Sequence, residues 1–336
     1  MAGITIGQLM QLEKDVSKKY IGMQLIRQAK LLDILPFENV SGLNVQAYWL
    51  EKLPTGGAFR KLNGAYVSKE DAQWGDGTES VFGFGGDITF DKVLNDIKNV
   101  VGDPVKMQVD ARLQSMAITW NNQFINGDVA VAPDGFNGLK VRVANMDARQ
   151  TIWAAASGAA PADPTASAAA ARKYFNQFNA AIQRCNAGDC DAIIMNENMQ
   201  TGFSIALSYI QGAGNYLAVT KDQFGRQDLS YKGIPFIDPG YLQNQTTEVI
   251  TETEIAGDGG ADSTSIYFVS FNTDNGVYGI QLNQFKAYDP LNGGEMESKP
   301  SKMMRVDWWN GIASFGRRGI VRMRNIEALA DWTEGV

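Results

Sequence analysis

The sequence of 336 residues contains no histidine. This absence excludes Ser-His-Asp and Cys-His catalysis, and it also excludes zinc sites with imidazole ligands. Cysteine is scarce too, and the only two, Cys185 and Cys190, could close a short disulfide loop or remain free. We expect free thiols at a helix end, because two thiols without histidine make a poor metal site. No carboxylate or lysine motif replaces these groups, so we expect no catalytic residue, no cofactor and no metal.

Long hydrophobic runs are missing as well. No apolar stretch approaches the roughly 20 residues that a membrane helix needs, and the N-terminus lacks the basic and apolar regions of a secretory signal. The chain is acidic, with 37 Asp and Glu against 30 Lys and Arg and a net charge of −7. This charge argues against a sequence-reading role on nucleic acid. The length and the 44% hydrophobic content predict a buried core in two or three domains.

The strongest helical pattern runs from Asp103 to Gly127. Asp103 and Pro104 suit the start of a helix, and Gly127 stands where a C-terminal cap with a positive φ is expected. One apolar stripe recurs at intervals of three or four residues: Val105, Val109, Leu113, Met116, Trp120 and Phe124. The pattern predicts a helix about 35 Å long, across which other segments lie.

Before this helix, the sequence predicts a long two-stranded ribbon. Residues 45–51 and 79–94 have strand patterns, and residues 54–78 between them mix glycine, aromatic and charged residues. An isolated ribbon is at best marginally stable in water, so we expect this one to lie on a neighbouring chain. The run Gly83-Phe84-Gly85-Gly86 does not match a phosphate-binding loop, because a strand continues after it. Its glycines indicate a bulge or a close approach of two backbones.

The second half alternates helices and strands and predicts an α+β or α/β domain. The predicted elements are a helix at 164–183, a strand at 191–196, a helix at 197–211, and strands at 216–220 and 234–238. The acidic stretch 248–265 predicts an exposed, mobile loop. Its carboxylates Glu252, Glu254, Asp258 and Asp262 could bind calcium, although they do not have the spacing of a calcium-binding loop.

Two turns are predicted near the C-terminus. Asn275-Gly276 is typical of a type I′ hairpin. Residues 303–326 predict two strands that turn at 316–319, with several arginines that form a solvated edge or pair with acidic partners.

Short motifs also follow one another in a characteristic order. They are W-L-E-K-L-P at 49–54, F-R-K-L-N-G at 59–64, G-G-D-I-T-F-D-K-V-L at 85–94, Q-F-I-N-G-D at 123–128, F-N-G-L at 136–139 and R-V-D-W-W-N-G-I-A at 305–313. In this order they resemble the major capsid proteins of tailed bacteriophages, and the resemblance covers the whole chain.

The resemblance implies an α+β chain with the Hong Kong 97-like capsid fold. By position, the regions would be an N-terminal arm at 1–44, an extended loop at 45–92, a peripheral domain at 93–150 and 290–336 with a spine helix at 103–127, and an axial domain at 151–289. Inter-subunit contacts are expected from the arm, the extended loop and the C-terminal turn, at Tyr20, Arg27, Phe59, Arg60, Lys61, Tyr66, Lys69, Trp74, Arg317 and Arg318.

The implied function is structural. Copies of the chain would assemble into pentamers and hexamers of the icosahedral head of a tailed double-stranded DNA phage, in the host cytoplasm, and remain in the virion capsid. The implied partners are a portal, a decoration protein and, because the chain starts at Met1 without a scaffolding segment, either a separate scaffolding protein or none. DNA would be enclosed without sequence-specific binding, and no membrane is involved. The alternatives are an encapsulin-like compartment shell and, more weakly, a carboxylate-dependent hydrolase.

Overall fold

The computed structural model describes residues 4–5, 25, 29–52, 54, 59–64, 71–91, 104–210, 217–221, 227–255, 262–283 and 285–328, which form an α+β fold. The helices are α1 Lys30–Ile34, α2 Pro104–Asn126, α3 Leu139–Ala144, α4 Ala168–Arg184 and α5 Glu197–Ser208. The strands are β1 Ile4–Thr5, β2 Pro36–Asn39, β3 Asn44–Lys52, β4 Gln73–Ser80, β5 Phe82–Asp91, β6 Thr151–Trp153, β7 Ala192–Ile194, β8 Leu217–Lys221, β9 Gln227–Tyr231, β10 Ile234–Ile237, β11 Glu254–Ile255, β12 Asp262–Val269, β13 Tyr278–Gln281, β14 Lys286–Tyr288, β15 Ser301–Ala313 and β16 Ile320–Glu327.

Helix α2 confirms the predicted long helix to within one residue at each end. Its described apolar stripe is buried, at Val109, Leu113, Met116, Trp120 and Phe124. The positive φ expected at Gly127 is wrong. A glycine is needed there for space, since a Cβ would lie 2.4 Å from the Gln123 carbonyl oxygen and 2.5 Å from that of Phe136. The capping role predicted for Asp103 lies outside the described residues.

Helix α4 begins four residues later than the sequence predicted, because its N-terminus is set by a side chain. The Ser167 hydroxyl accepts a hydrogen bond from the Ala170 amide at 3.2 Å, as an N-cap residue does. Asp163 instead closes a turn, where its carboxylate accepts from the Thr165 amide at 2.6 Å. Cys185 ends the helix, and both cysteines are buried free thiols, as predicted. A hydrogen bond with Cys190 and burial raise the pKa of the Cys185 thiol.

Two larger sheets organise the described residues. The first has the strand order β1-β2-β13-β15-β14, with β5 also paired to β15. Strands β5 and β15 are antiparallel over ten paired positions. Gly85 confirms the predicted close approach, since a Cβ there would lie 2.2 Å from the Val306 carbonyl oxygen. Helix α2 is tied to this sheet by the Trp120 indole, which donates to the Asn310 side-chain oxygen at 3.3 Å.

The second sheet has the order β6-β16-β12-β7-β10-β9-β8, with β11 on β12. Because successive strand residues point to opposite faces, it separates two hydrophobic cores. Ile193 belongs to a core with the aromatic rings of α4 and α5, where Phe178 and Phe203 have centroids 4.8 Å apart. Its neighbour Ile194 belongs to the other core, together with Trp120 of α2.

The Asn275-Gly276 hairpin prediction is wrong. Strand β12 pairs with β7, β11 and β16, whereas β13 pairs with β2 and β15, so the turn carries the chain from one sheet to the other. Neither residue has a positive φ. Gly276 serves a close contact, since a Cβ there would lie 2.4 Å from the Ser270 carbonyl oxygen. The strands predicted at 303–326 are present as β15 and β16, but they also lie in different sheets.

Candidate functional site

The ribbon of β3 and β4 forms a two-stranded sheet of its own. Its strands are antiparallel and run from the Asn44–Ser80 pair to the Lys52–Gln73 pair. Most described side chains on β4 are exposed or half-buried, and none is fully buried. A free two-stranded ribbon is marginal in water, so a surface outside the ribbon is the expected source of its stability.

Large hydrophobic side chains are exposed along this ribbon and its tip. They are Leu43, Tyr48, Phe59, Leu62 and Trp74. Phe59 is 109% exposed and Trp74 is 65% exposed, so most of each side chain is open to solvent in the single subunit. The tip is locally ordered by Arg60, which donates to the Gly64 carbonyl oxygen at 3.3 Å, and by Asn63 in the left-handed region at φ 61°. Aromatic side chains beside arginine and lysine are typical of protein interfaces.

A buried arginine fixes the base of the ribbon. Arg142 on α3 is 9% exposed and holds Glu79 of β4 by two hydrogen bonds, the one to Oε2 at 2.9 Å. The same guanidinium donates to the carbonyl oxygens of Ile312 at 2.8 Å and Asn137 at 2.7 Å. Arg142 therefore links the ribbon to β15 and to the segment after α2. Sequence reasoning missed this residue, since an arginine in a short helix carries no motif.

The predicted contact residues fall into two groups in the structure. Phe59, Arg60, Lys61 and Trp74 lie exposed on the ribbon and its tip. Arg317 and Arg318 lie exposed on the turn between β15 and β16, and thus on a different element. Tyr20, Arg27, Tyr66 and Lys69 lie outside the described residues.

A group of carboxylates and amides surrounds the start of α5. Buried Asn196 donates from Nδ2 to Glu248 at 2.7 Å and to Glu252 at 3.0 Å, and its Oδ1 accepts from the Met199 amide at 3.0 Å. Burial raises the pKa of Glu248 to about 7, and the charges of Glu252, Asp238 and Glu197 add to the rise. Sequence reasoning missed this group, because Asn196 and Glu248 are far apart in the chain.

The exposed loop predicted at 248–265 is wrong, because β11 pairs with β12 inside this stretch and Val249 and Ile250 are buried. The other carboxylates of the stretch have separate positions or partners. Glu254 pairs with buried Arg322, accepts from Ser265 and lies 3.4 Å from the Lys140 ammonium. Although burial opposes ionisation, Arg322 and the other donors lower the pKa of Glu254. Asp262 starts β12, and Asp258 lies outside the described residues. Among the described residues, no three His, Cys, Asp or Glu side chains could hold a metal ion.

Comparisons with known proteins identify the fold. No protein-family model matches the sequence, and no curated protein matches it. The holo-SrpI encapsulin complex from Synechococcus elongatus aligns with 90% of this chain and 89% of that chain, at 12% identity and a TM-score of 0.56. The capsid of a native gene transfer agent particle aligns with 90% of both chains, at 14% identity and a TM-score of 0.54. A structure from Mycobacterium phage Cain aligns with 99% of this chain and 100% of that chain, at 13% identity and a TM-score of 0.53.

These likenesses confirm the predicted Hong Kong 97-like capsid fold over nearly the full length of the chain. At 12–14% identity they establish the fold alone. No helix within the described ranges has both the length and the apolar character to span a membrane.

Proposed function

We propose that this chain is a major capsid protein. Copies of it assemble into pentamers and hexamers of the icosahedral head of a tailed double-stranded DNA bacteriophage. The observation that carries the proposal is the fold shared with a gene transfer agent capsid across 90% of both chains. The exposed aromatic side chains on the ribbon support the proposal, because large hydrophobic groups exposed on a single subunit mark a surface that another protein covers.

In this proposal the regions keep their predicted roles. Residues 1–44 are the N-terminal arm, 45–92 the extended loop, 93–150 with 290–336 the peripheral domain, and 151–289 the axial domain. Strand pairing crosses these boundaries: β13 and β14 pair with β15, and β16 pairs with β12 and β6. Part of the arm belongs to the subunit's own core, where Leu31, Leu32 and Leu35 are fully buried. Leu25 and Ala29 are also buried, so we place the contacts of the arm before Leu25, with Arg27 as the one proposed contact after it.

The proposed partners follow from this role. Neighbouring copies contact the exposed residues of the ribbon and of the Arg317–Arg318 turn, and Tyr20, Arg27, Tyr66 and Lys69 are proposed contacts of the same kind. A portal, a separate scaffolding protein and a decoration protein complete the head, which assembles in the host cytoplasm and encloses DNA without reading its sequence. We assign no enzymatic activity, cofactor or metal to the chain.

A compartment shell is the second candidate, and the encapsulin alignment at a TM-score of 0.56 favours it specifically. The two candidates differ in what the particle encloses. Particles purified from the organism that carries the gene would contain nuclease-protected DNA if they are heads, and a protein cargo if they are compartments.

Negative-stain electron microscopy of the recombinant chain tests assembly itself. We expect closed particles, alone or with the scaffolding protein. Deletion of residues 1–24 or 56–75 should abolish particles while circular dichroism shows an intact fold, because neither deletion removes a core residue that the structure describes. A chain that stays a monodisperse monomer with its assembly partners would contradict the proposal. Normal particles from either deletion would remove that segment from the interface.

A further inference from the structure

A cavity of about 370 Å³ opens at the end of helix α4. Three segments meet there: the 3-10 turn Ala148–Gln150, the last turn of α4, and the turn between β15 and β16. The residues that line it are Asp147, Arg149, Gln150, Gln183, Arg184, Ala187 and Arg318. We call this the arginine cavity.

Its charge is opposite to that of the chain. Arg149, Arg184 and Arg318 carry three positive charges and Asp147 one negative charge, which leaves a net charge of +2 in a chain of −7. The Asp147 carboxylate already accepts a hydrogen bond from the Arg149 backbone amide at 2.9 Å, so part of its hydrogen-bonding capacity is used. The C-terminus of α4 adds only about half a negative charge. An anion that enters the cavity therefore meets an excess of positive charge.

A buried amide at the cavity has no partner. Gln150 lines the cavity and is only 2% exposed, and its side-chain NH₂ group donates no hydrogen bond within the described part of the chain. A buried donor without an acceptor is destabilising, and such groups in native proteins commonly mark a site for a ligand or water. The NH₂ group itself has no accessible surface, so the Gln150 side chain would have to turn toward the cavity for an oxygen-rich ligand to supply the missing acceptor.

The walls are held in place by backbone contacts. Arg184 donates to the Arg149 carbonyl oxygen at 3.0 Å, and the Asn186 amide donates to the Arg318 carbonyl oxygen at 2.8 Å. Asn186 and Ala187 both have left-handed backbones, at φ 44° and 61°. This conformation is uncommon for a residue such as alanine and recurs at binding sites. Three separate segments thus bring their arginines to one opening.

We propose that the arginine cavity binds a phosphate group. A phosphate monoester carries between one and a half and two negative charges at neutral pH, roughly the excess of the cavity. Its oxygens point in several directions and can face three guanidinium groups and the Gln150 amide together, whereas the two oxygens of a carboxylate lie in one plane. The phosphate group comes from free phosphate, a nucleotide or the nucleic-acid backbone, and recognition of the group itself reads no base sequence.

Isothermal titration calorimetry of the full, unassembled chain with inorganic phosphate tests the proposal. We expect saturable binding that weakens about tenfold or more in Arg184→Ala and in Arg318→Ala, since each removes a charge-assisted hydrogen bond. The matched control is Arg172→Ala, an exposed arginine on the same helix but outside the cavity, which should bind as the wild type does. Gln150→Met should weaken binding and leave the melting temperature in phosphate-free buffer unchanged or higher, because it removes the unpaired amide.

Three further ligands distinguish the source of the phosphate group. Tighter binding of thymidine monophosphate or of a single-stranded oligonucleotide than of inorganic phosphate assigns the nucleotide or the nucleic-acid backbone, and both outcomes support the proposal. Glutarate that binds as tightly as phosphate would overturn it in favour of an acidic side chain from a second copy. Absence of phosphate binding, or equal weakening by Arg172→Ala, would also overturn it. Particle formation by the same variants is scored separately, so a failure of assembly is not confused with a failure of binding.

Discussion

Arg142 concentrates more interactions than any other single side chain at the base of the ribbon. It is buried, pairs with Glu79 through two hydrogen bonds, and satisfies two backbone carbonyl groups. In Arg142→Met the Glu79 carboxylate would lose its partner in a largely buried position. We expect the free energy of unfolding to fall by about 3–5 kcal/mol, as when a buried ion pair is broken. Chemical denaturation of the unassembled chain measures this.

The matched control for this prediction is Arg305→Met. Arg305 also donates two hydrogen bonds to one carboxylate, that of Asp87, at 2.7 and 2.8 Å. Both of these side chains, however, are about two-fifths exposed. Water replaces the lost contacts there, so we expect little change. Equal losses of stability in the two variants would show that burial does not set the strength of the Arg142 pair.

Glu248 is expected to make the stability of the subunit depend on pH. Burial raises its pKa from 4.5 to about 7, so between these values the folded chain retains a proton that the unfolded chain has released. Stability should therefore fall as the pH rises through this window, and the loss is complete above about pH 7. Glu248→Gln keeps an acceptor for Asn196 and removes the charge. We expect it to be more stable than the wild type at pH 8 by about 1 kcal/mol, reduced from the full shift because the carboxyl group is half exposed.

Urea unfolding at pH 5 and pH 8 measures this effect. Asp134→Asn, which changes an exposed carboxylate in a turn, is the control and should follow the wild type at both values. If Glu248→Gln loses stability between pH 5 and pH 8 as steeply as the wild type does, the titration belongs to another group.

At the scale of elements, we expect the ribbon to be required for particle assembly and to contribute little to the free energy of unfolding. Trp74 on β4 is 65% exposed, so Trp74→Ser should change the free energy of unfolding by no more than about 0.5 kcal/mol. Particle formation should nevertheless fail, because exposed tryptophans are frequent anchors of interfaces. Thermal denaturation and electron microscopy of the same preparation give the two results.

Val131→Ser serves as the control, since Val131 is also a large exposed hydrophobic residue but lies outside the ribbon. We expect it to form particles. Normal assembly of Trp74→Ser would show that the tryptophan does not contact a neighbour, and a large loss of stability would show that it packs within its own subunit.

The elements also show which local sequence patterns predict structure correctly. The stripe of α2 predicted the helix, because a period of three to four residues has one structural explanation over 20 residues. The glycine signals were less specific. The local pattern predicts a positive φ at Gly127 and Gly276, yet both occupy places where a backbone oxygen leaves no space for a Cβ. The lack of space at these glycines is caused by residues outside the local pattern, so the pattern itself cannot predict it.

At the scale of the molecule, the two hydrophobic cores share the second sheet and should unfold together. Phe203 lies in the core of α4 and α5, whereas Trp120 and Trp308 lie in the other. Phe203→Ala should cost about 3–5 kcal/mol, as large-to-small core substitutions do. Because the sheet between them contributes side chains to both cores, we expect melting curves from circular dichroism and from tryptophan fluorescence to shift together. A fluorescence transition that stays in place while the other moves would show that the cores unfold separately.

The sequence by itself determined the α+β class, the long helix, the first strand of the ribbon and, through the order of its motifs, the capsid fold. The return strand predicted at 79–94 is wrong, because residues 73–80 pair with β3 whereas residues 82–91 pair with β15. The class, the helix and the strand follow from periodicity and local spacing, which act between residues close in the chain, whereas the capsid fold follows from the resemblance to a known family. Tertiary structure alone decided which strands share a sheet, so that β15 and β16 diverge after their turn and β12 never pairs with β13. It also decided that Arg142 meets Glu79 and that three arginines line one cavity, because burial and charge depend on neighbours that the fold brings together from distant positions.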